Sequence, residues 1–223
     1  MRRFVSTDLY GLIQDNQTLL LPKDGIRHLV KVLRLKDGEE IEVCDGRGNS
    51  AIGVLSGKVI VLGERQTHPE PPALCVVLSI IKTERFRFAI EKLAELGVRE
   101  IRPLFAERGQ VKIPIEKREA KLAKWLKTTE NATRQSGRFF TPLIYLPEDA
   151  TTISKLEYDH IVCHQHAKQE VVDVENPAIW IGPEGGFSEN ETAMFDGFEE
   201  MFLSRAILRS ETAAILAASR FSR

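Results

Sequence analysis

Two segments near the carboxyl end bring together residue types that a ligand site would need. In the first, the apolar run Ile179-Trp180-Ile181 passes into Gly182-Pro183-Glu184-Gly185-Gly186-Phe187, and Ser188-Glu189-Asn190-Glu191 follows with the spacing of a capping box. A buried strand thus ends in a glycine-rich loop before a helix starts. Ligands of open α/β sheets bind beyond the carboxyl ends of strands. Glycines there let the backbone approach a flat ligand such as a nucleobase. The same residues are also what a tight strand-to-helix connection requires, and spacing alone leans slightly that way. In the second segment, Leu203-Ser204-Arg205-Ala206-Ile207-Leu208-Arg209 is followed by Ser210, a residue suited to cap a helix, and by Glu211 in its first turn. An arginine at a helix start is electrostatically unfavourable unless an anion is near. A structural pairing of Arg209 with Glu211 answers that equally well. Two such loops converging would make a pocket.

Other residues invite chemistry less strongly. Arg138, just past Gly137 in Thr133-Arg134-Gln135-Ser136-Gly137-Arg138, could reach a phosphate or a base edge, or only neutralise a helix end. His164 and His166 lie one residue apart beside Cys163, but no further ligand cluster is near in sequence, so no metal site is expected. The chain has no GxGxxG loop, no phosphate-binding GxxxxGK[ST] and no GxSxG nucleophile elbow.

These segments need elements to hold them, and the chain has two rhythms. Up to residue 70 it reads as mostly β, with strands at Phe4–Ser6, Thr18–Leu21, Glu40–Cys44, Ala51–Leu55 and Val59–Leu62, which suggests a small barrel. A short helix, with Asp24 as its cap and Ile26, Leu29, Val30 and Leu33 as its apolar stripe, interrupts the run. The prolines of His68-Pro69-Glu70-Pro71-Pro72 mark a border, so domains are expected over 1–70 and 73–223. Beyond it, strands and helices alternate, as in an α/β layer architecture. The strands are Leu74–Ile81, Ile101–Phe105, Leu143–Leu146, Ile161–His164, Ala178–Ile181 and Met201–Leu203. Thr83 can cap a helix closed by Gly97, a long helix spans about Glu116 to Gln135, and a last one spans Ser210–Ser219. In the long helix Leu122, Leu126 and Thr133 share one side, away from Lys117, Lys121, Lys124 and Lys127.

Charge supports a nucleic-acid partner only when split by region. The net charge is -1, yet residues 82–140 carry 15 Lys and Arg against 8 acids, and residues 141–223 carry 6 against 14. A local basic surface of this kind could dock a phosphate backbone, or be a solvated helix face. Cys44, Cys75 and Cys163 are odd in number and form no CxxC pair, which argues against a disulfide framework. No secretory pattern follows Met1 and no apolar stretch is long enough for a bilayer, so a cytoplasmic protein without a membrane partner is the expectation.

Taken together, these pieces resemble a known family. IGPEGGFSENE from Ile181 and LSRAILRSETAAILA from Leu203 are similar to the signature of SPOUT-superfamily methyltransferases that N3-methylate a uridine in small-subunit ribosomal RNA. RHLVKVLRLKDGEEIEVCDGRG resembles that family's PUA-like RNA-binding barrel, while KTERFRFAIEKLAELGVREIRPLFAERG and the QSGR segment resemble its catalytic domain. The likeness covers nearly the whole chain, in the family's order. Ser204 departs from a usual glycine and Ser210 from a threonine.

The resemblance implies a PUA-like β-barrel followed by a SPOUT α/β domain with a C-terminal trefoil knot, an exception to the rule against threaded chains. It implies S-adenosylmethionine as cofactor, a homodimer, and ribosomal RNA or an assembled small subunit as partner. His164, Ile181, Gly182, Pro183, Glu184, Gly185, Gly186, Leu203, Ile207, Leu208 and Arg209 would then line the cofactor site. Uracil N3 carries a proton and is a poor nucleophile until it leaves. Glu211 is the expected acceptor, with Arg209 or Arg138 as the cation that stabilises the resulting anion. Arg2, Arg3, His28, Lys31, Arg34 and Arg47, with Arg134 on the basic helix, are expected to hold RNA. The competing class is a non-catalytic RNA-binding protein of ribosome assembly, which explains the charge split but not the make-up of the two loops.

Overall fold

A computed structural model describes residues 2–21, 23–170 and 172–222. The chain divides into two compact units, Met1–Glu70 with Glu130–Thr141, and Pro71–Thr129 with Pro142–Arg223.

In the first unit, β1 (Arg3–Val5) runs parallel to β3 (Glu40–Cys44). Antiparallel pairing continues through β4 (Asn49–Ser56) and β5 (Val59–Thr67) to β2 (Thr18–Leu20). The sheet order is β1-β3-β4-β5-β2. Its end strands β1 and β2 are not paired with each other among the described residues, so strand pairing does not close the expected barrel. Burial alternates along β4, with Ala51 and Leu55 inward and Ile52 and Val54 outward, the period of a half-buried strand. The inward residues join Leu9, Leu19, Leu29, Ile41, Val43 and Ile60 in one core.

The helix expected around Ile26 is α1 (Lys23–Arg27), which continues as a π-helical turn over His28–Val32. The wider winding, closed by the Leu33 amide on the His28 carbonyl at 3.0 Å, rotates the apolar stripe. Leu29 is therefore buried while Val30, expected on the stripe, faces outward. The Asp24 side chain, assigned a cap above, lies outside the described residues. In the turn after β3, the buried Asp45 carboxylate accepts from the amides of Arg47 and Asn49 at 2.8 and 2.9 Å. Gly48 has φ +92°, and a Cβ there would lie 2.3 Å from the Phe140 ring, so only glycine fits.

The second unit is a six-stranded parallel sheet. Its strands are β6 (Cys75–Ser79), β7 (Glu100–Leu104), β8 (Leu143–Ile144), β9 (Asp159–Cys163), β10 (Pro177–Ile181) and β11 (Glu199–Met201), in the order β11-β9-β10-β6-β7-β8. Every residue of β6 and β10 is buried, which explains their continuous apolar runs. On one face α2 (Thr83–Leu96) packs against α6 (Ser210–Ser219), over Val76, Leu78 and Ile179. Ala150 and Ile153 of α4 (Ala150–Ile153) cluster with Val77 and the fully buried Trp180. The short α5 (Glu189–Ala193) carries the full capping box expected of Ser188 and Glu191.

Two expectations for the helices change. Thr83 is not a cap: it is the first helical residue, Lys82 holds the cap position without a side-chain bond, and the Thr83 hydroxyl instead accepts from Lys121 Nζ at 3.2 Å. Gly97 does close α2, with φ +82°. The long helix α3 (Ile115–Ser136) buries Trp125 and Thr129, whereas Leu122 and Leu126 are only half-buried. Its residues from Glu130 onward belong to the first unit. Among the described residues no helix is long and apolar enough to cross a membrane.

Candidate functional site

The carboxyl ends of β9, β10 and β11 open onto one cavity of about 280 Å³. Strand order reverses beside them, because β6 pairs with β7 on one side and β10 on the other, and a crevice forms at such a switch. Of the residues proposed above for the cofactor, His164, Ile181, Gly182, Pro183, Glu184, Gly186, Leu203, Ile207 and Leu208 line it. Gly185 and Arg209 do not. Gly185 turns toward Arg108, whose Nη1 donates to its carbonyl at 3.4 Å, and the Arg209 side chain projects to solvent.

Each wall has a local cause. Buried β10 delivers the chain into a turn in which the Gly186 amide donates to the Pro183 carbonyl at 2.9 Å, with Gly186 at φ +68°. The capping box beyond it is braced by the buried Glu191, whose Oε1 accepts from the Glu107 amide at 2.9 Å. The segment after β11 bends at Ser204, whose hydroxyl accepts from the Ala206 amide at 3.0 Å. Arg220, just past α6, donates to the carbonyls of Phe202 and Leu203 at 2.8 and 3.2 Å and holds that exit from behind.

Direct bonds join the two walls. Ser210, expected to cap α6, is instead its first helical residue, and Arg209 occupies the cap position with no side-chain bond. The buried Ser210 hydroxyl donates to the Gly182 carbonyl at 2.8 Å. The sequence pairs Arg209 with Glu211 as one option, but Glu211 takes another partner. Its Oε1 lies 3.7 Å from Arg85 Nε on α2, and Arg85 Nη1 lies 3.1 Å from Glu184 Oε1. Glu211 Oε2 is buried and has no hydrogen-bond partner among the described residues. The Arg209 guanidinium forms no ion pair or hydrogen bond with them.

At the carboxyl end of β9, His164 Nδ1 accepts from the His166 amide at 3.2 Å, which leaves Nε2 to donate to Glu200 Oε2 at 3.2 Å. Beside it burial pushes the Cys163 thiol up to about 12, so it stays neutral and unreactive near pH 7. No group of His, Cys, Asp and Glu that could hold a metal occurs among the described residues.

The remaining candidates lie in the first unit. Arg3 pairs with Glu42 at 2.5 Å, donates to the Arg138 carbonyl at 3.2 Å and lies over the Phe139 ring at 4.3 Å. Arg47 donates to the Thr141 carbonyl at 2.8 Å. Both are thus engaged within their own unit. Arg2 is exposed and pairs with Glu39. Lys31 and Arg34 are exposed, Arg34 at φ +52°, while His28, Arg134 and Arg138 are half-buried.

Several contributors were not anticipated from the sequence. Cys163, Gln165 and Phe187 line the cavity and flank anticipated residues, so extending each loop by one position would have found them. Arg85, Arg108 and Arg220 carry no local signal, since each reaches the site from a distant stretch of chain.

Known proteins match along the whole chain. The description of an RNA methyltransferase domain matches residues 68–222, and that of an RNA methyltransferase PUA domain matches residues 21–61. A ribosomal RNA small subunit methyltransferase E of Mesomycoplasma hyopneumoniae is 35% identical over 169 residues, 72% of this chain and 74% of that one. A Legionella pneumophila structure, described as a methyltransferase with bound cofactor SAM, is 31% identical with a TM-score of 0.86, covering 97% of this chain and 95% of that one. A ribosomal RNA small subunit methyltransferase E from Neisseria gonorrhoeae, bound to S-adenosyl methionine, is 27% identical with a TM-score of 0.86, covering 98% and 95%.

Proposed function

The chain belongs to the RNA methyltransferase family, and from that premise we propose that it is an S-adenosylmethionine-dependent enzyme that methylates small-subunit ribosomal RNA. The observation that carries this reading is the cavity built from three neighbouring strand exits, bonded wall to wall by Ser210 and Gly182. Its residues suit the cofactor. Ile181, Phe187, Leu203 and Leu208 offer apolar walls to a flat adenine, and the Glu184 carboxylate suits a cationic sulfonium. When bound, S-adenosylmethionine supplies an electrophilic methyl group, and the chain's own residues position it and handle a proton. The cofactor residues of this reading are those named from the sequence except Gly185 and Arg209, with Cys163, Gln165, Phe187, Ser204, Ala206, Ser210 and Ala213 added to the lining.

The finer reading places the methyl on N3 of a uracil. Glu211 accepts the imide proton in this reading on sequence grounds. Its second oxygen has no partner among the described residues but is buried, and Glu211 is not among the cavity-lining residues, so that oxygen must be uncovered when the base enters. Arg209 stabilises the anion left behind, supported by a guanidinium without a partner among them; Arg138 stands as the other cation on sequence grounds. The target base must be unpaired or flipped out, because N3 lies on its pairing edge. RNA docking falls to residues 1–70, through Arg2, His28, Lys31 and Arg34, and to Arg134, while residues 73–223 carry the chemistry. Arg3 and Arg47 fit a structural role better, given their internal partners. A trefoil knot through the last three strand exits, a homodimer and a cytoplasmic setting complete the proposal on the strength of the family resemblance.

Two measurements test it. Calorimetric titration with S-adenosylmethionine should give saturable binding, and no heat would favour a non-catalytic assembly protein. Primer extension on ribosomal RNA from cells lacking the protein should then lose one reverse-transcription stop at a uridine, because an N3 methyl blocks pairing. A stop that persists would refute the target.

A further inference from the structure

We propose that Arg85 is a positioning residue that locks the two walls of the methyl-donor cavity together through Glu184 and Glu211, an inference that rests on reading this cavity as the methyl-donor site. Arg85 lies in the first turn of α2. One of its nitrogens is 3.1 Å from Glu184 in the wall after β10, and another is 3.7 Å from Glu211 in the first turn of α6. A planar guanidinium offers separate N–H groups to two carboxylates at once, which a single ammonium does less well. Without it, two carboxylates that share one cation would face each other and repel.

Burial makes the contact with Glu211 the more consequential arm. The Glu211 side chain is only 10% exposed, and a charge so buried needs a partner to remain charged. Arg85 supplies it while leaving the second Glu211 oxygen unpartnered among the described residues. The anchor is firm, because α2 and α6 pack directly on each other over the buried Phe86, Ile90 and Ala214. A third element thus holds both loops in place before the ligand arrives, and preorganisation of that kind appears as affinity.

The full-length protein, titrated calorimetrically with S-adenosylmethionine, gives the test. R85A should weaken binding about tenfold, between the effect of an exposed ion pair and that of a buried one. R85K, which keeps the charge, should stay within about threefold of wild type, a rescue that a purely space-filling role would not give. The R85A/E184A double variant should lose less than the two single losses combined, because R85A has already removed the link that E184A cuts and only the direct contact of Glu184 with the cofactor remains to be lost. Wild-type affinity in R85A, or losses that simply add in the double variant, would overturn the inference. Should R85A fail to fold, R85Q keeps the bulk of the side chain without its charge and should also weaken binding several-fold, with an unchanged affinity again overturning the proposal. A wild-type protein that does not bind S-adenosylmethionine at all would overturn the functional reading instead, so the two failures are distinguishable.

Discussion

Replacing Ser210 with alanine removes one hydroxyl from the join between the cavity walls. That hydroxyl is buried at the head of α6 and donates to the Gly182 carbonyl at 2.8 Å. It does not cap the helix, since Arg209 holds that position without a side-chain bond, so the helix start should survive the change. A neutral hydrogen bond of this class contributes about 1 kcal/mol net. Gly182 is half-exposed, so its carbonyl can turn to water, and the larger cost of a stranded buried acceptor does not apply. Spent on holding the walls together, about 1 kcal/mol corresponds to roughly a fivefold loss of S-adenosylmethionine affinity. The unliganded thermal midpoint should fall by no more than about 4 °C. Calorimetric titration of wild type, S210A and S210T at one temperature and salt concentration reads this directly. Threonine keeps the hydroxyl and should hold affinity within about twofold. An S210A protein that binds as tightly as wild type would refute the reasoning. So would equal losses in S210A and S210T, because side-chain volume and not the hydroxyl would then set the affinity.

Arg209 is exposed and without a partner among the described residues, so R209A should fold normally yet lose about 100-fold or more in turnover; near-normal single-turnover methyl transfer would remove it from the chemistry. E211Q should likewise fall at least about 100-fold in methyl transfer at saturating S-adenosylmethionine, beyond the roughly tenfold loss of affinity expected from cutting the Arg85 contact, and full activity would exclude Glu211 as the proton acceptor. G48A forces a side chain into the Phe140 ring at a left-handed backbone position, and its cost of about 2 kcal/mol should lower the midpoint by about 4–8 °C in a thermal melt followed by circular dichroism. Burial pushes the Cys44, Cys75 and Cys163 thiols up to about 12. The unfolded chain therefore loses these protons first, and the cysteine contribution to folding stability should be steady below about pH 8.5 and decline from there toward pH 12. Urea midpoints at pH 8 and pH 10 check the sign, and an equal or higher midpoint at pH 10 contradicts it.

Elements whose pattern is local were legible. The unbroken apolar runs of β6 and β10 announce strands covered on both faces, and the capping box at Ser188 and the glycine after α2 follow from side-chain reach and backbone freedom alone. The span Ser210–Ser219 was read correctly, but Thr83 and Ser210 were assigned as caps and are instead first helical residues, because a hydroxyl can serve a neighbouring segment as well as its own helix. The stripe through Val30 failed because a π-helical turn changes the residues per turn, which side-chain types do not reveal.

The candidate site divides along the same line. Residue types and order in the chain were enough to mark the two glycine- and arginine-bearing segments and to place each at the end of a strand, since both depend on contacts between near neighbours. Which of those residues face the cavity, that Gly185 turns to Arg108, that Arg3 and Arg47 are engaged inside the first unit, and that Glu211 pairs with Arg85, was decided only by the tertiary structure. Each of these is a pairing of charge or donor with a group far along the chain. Such a partner is chosen by the packing of sheet and helices, and no spacing in a linear sequence encodes it.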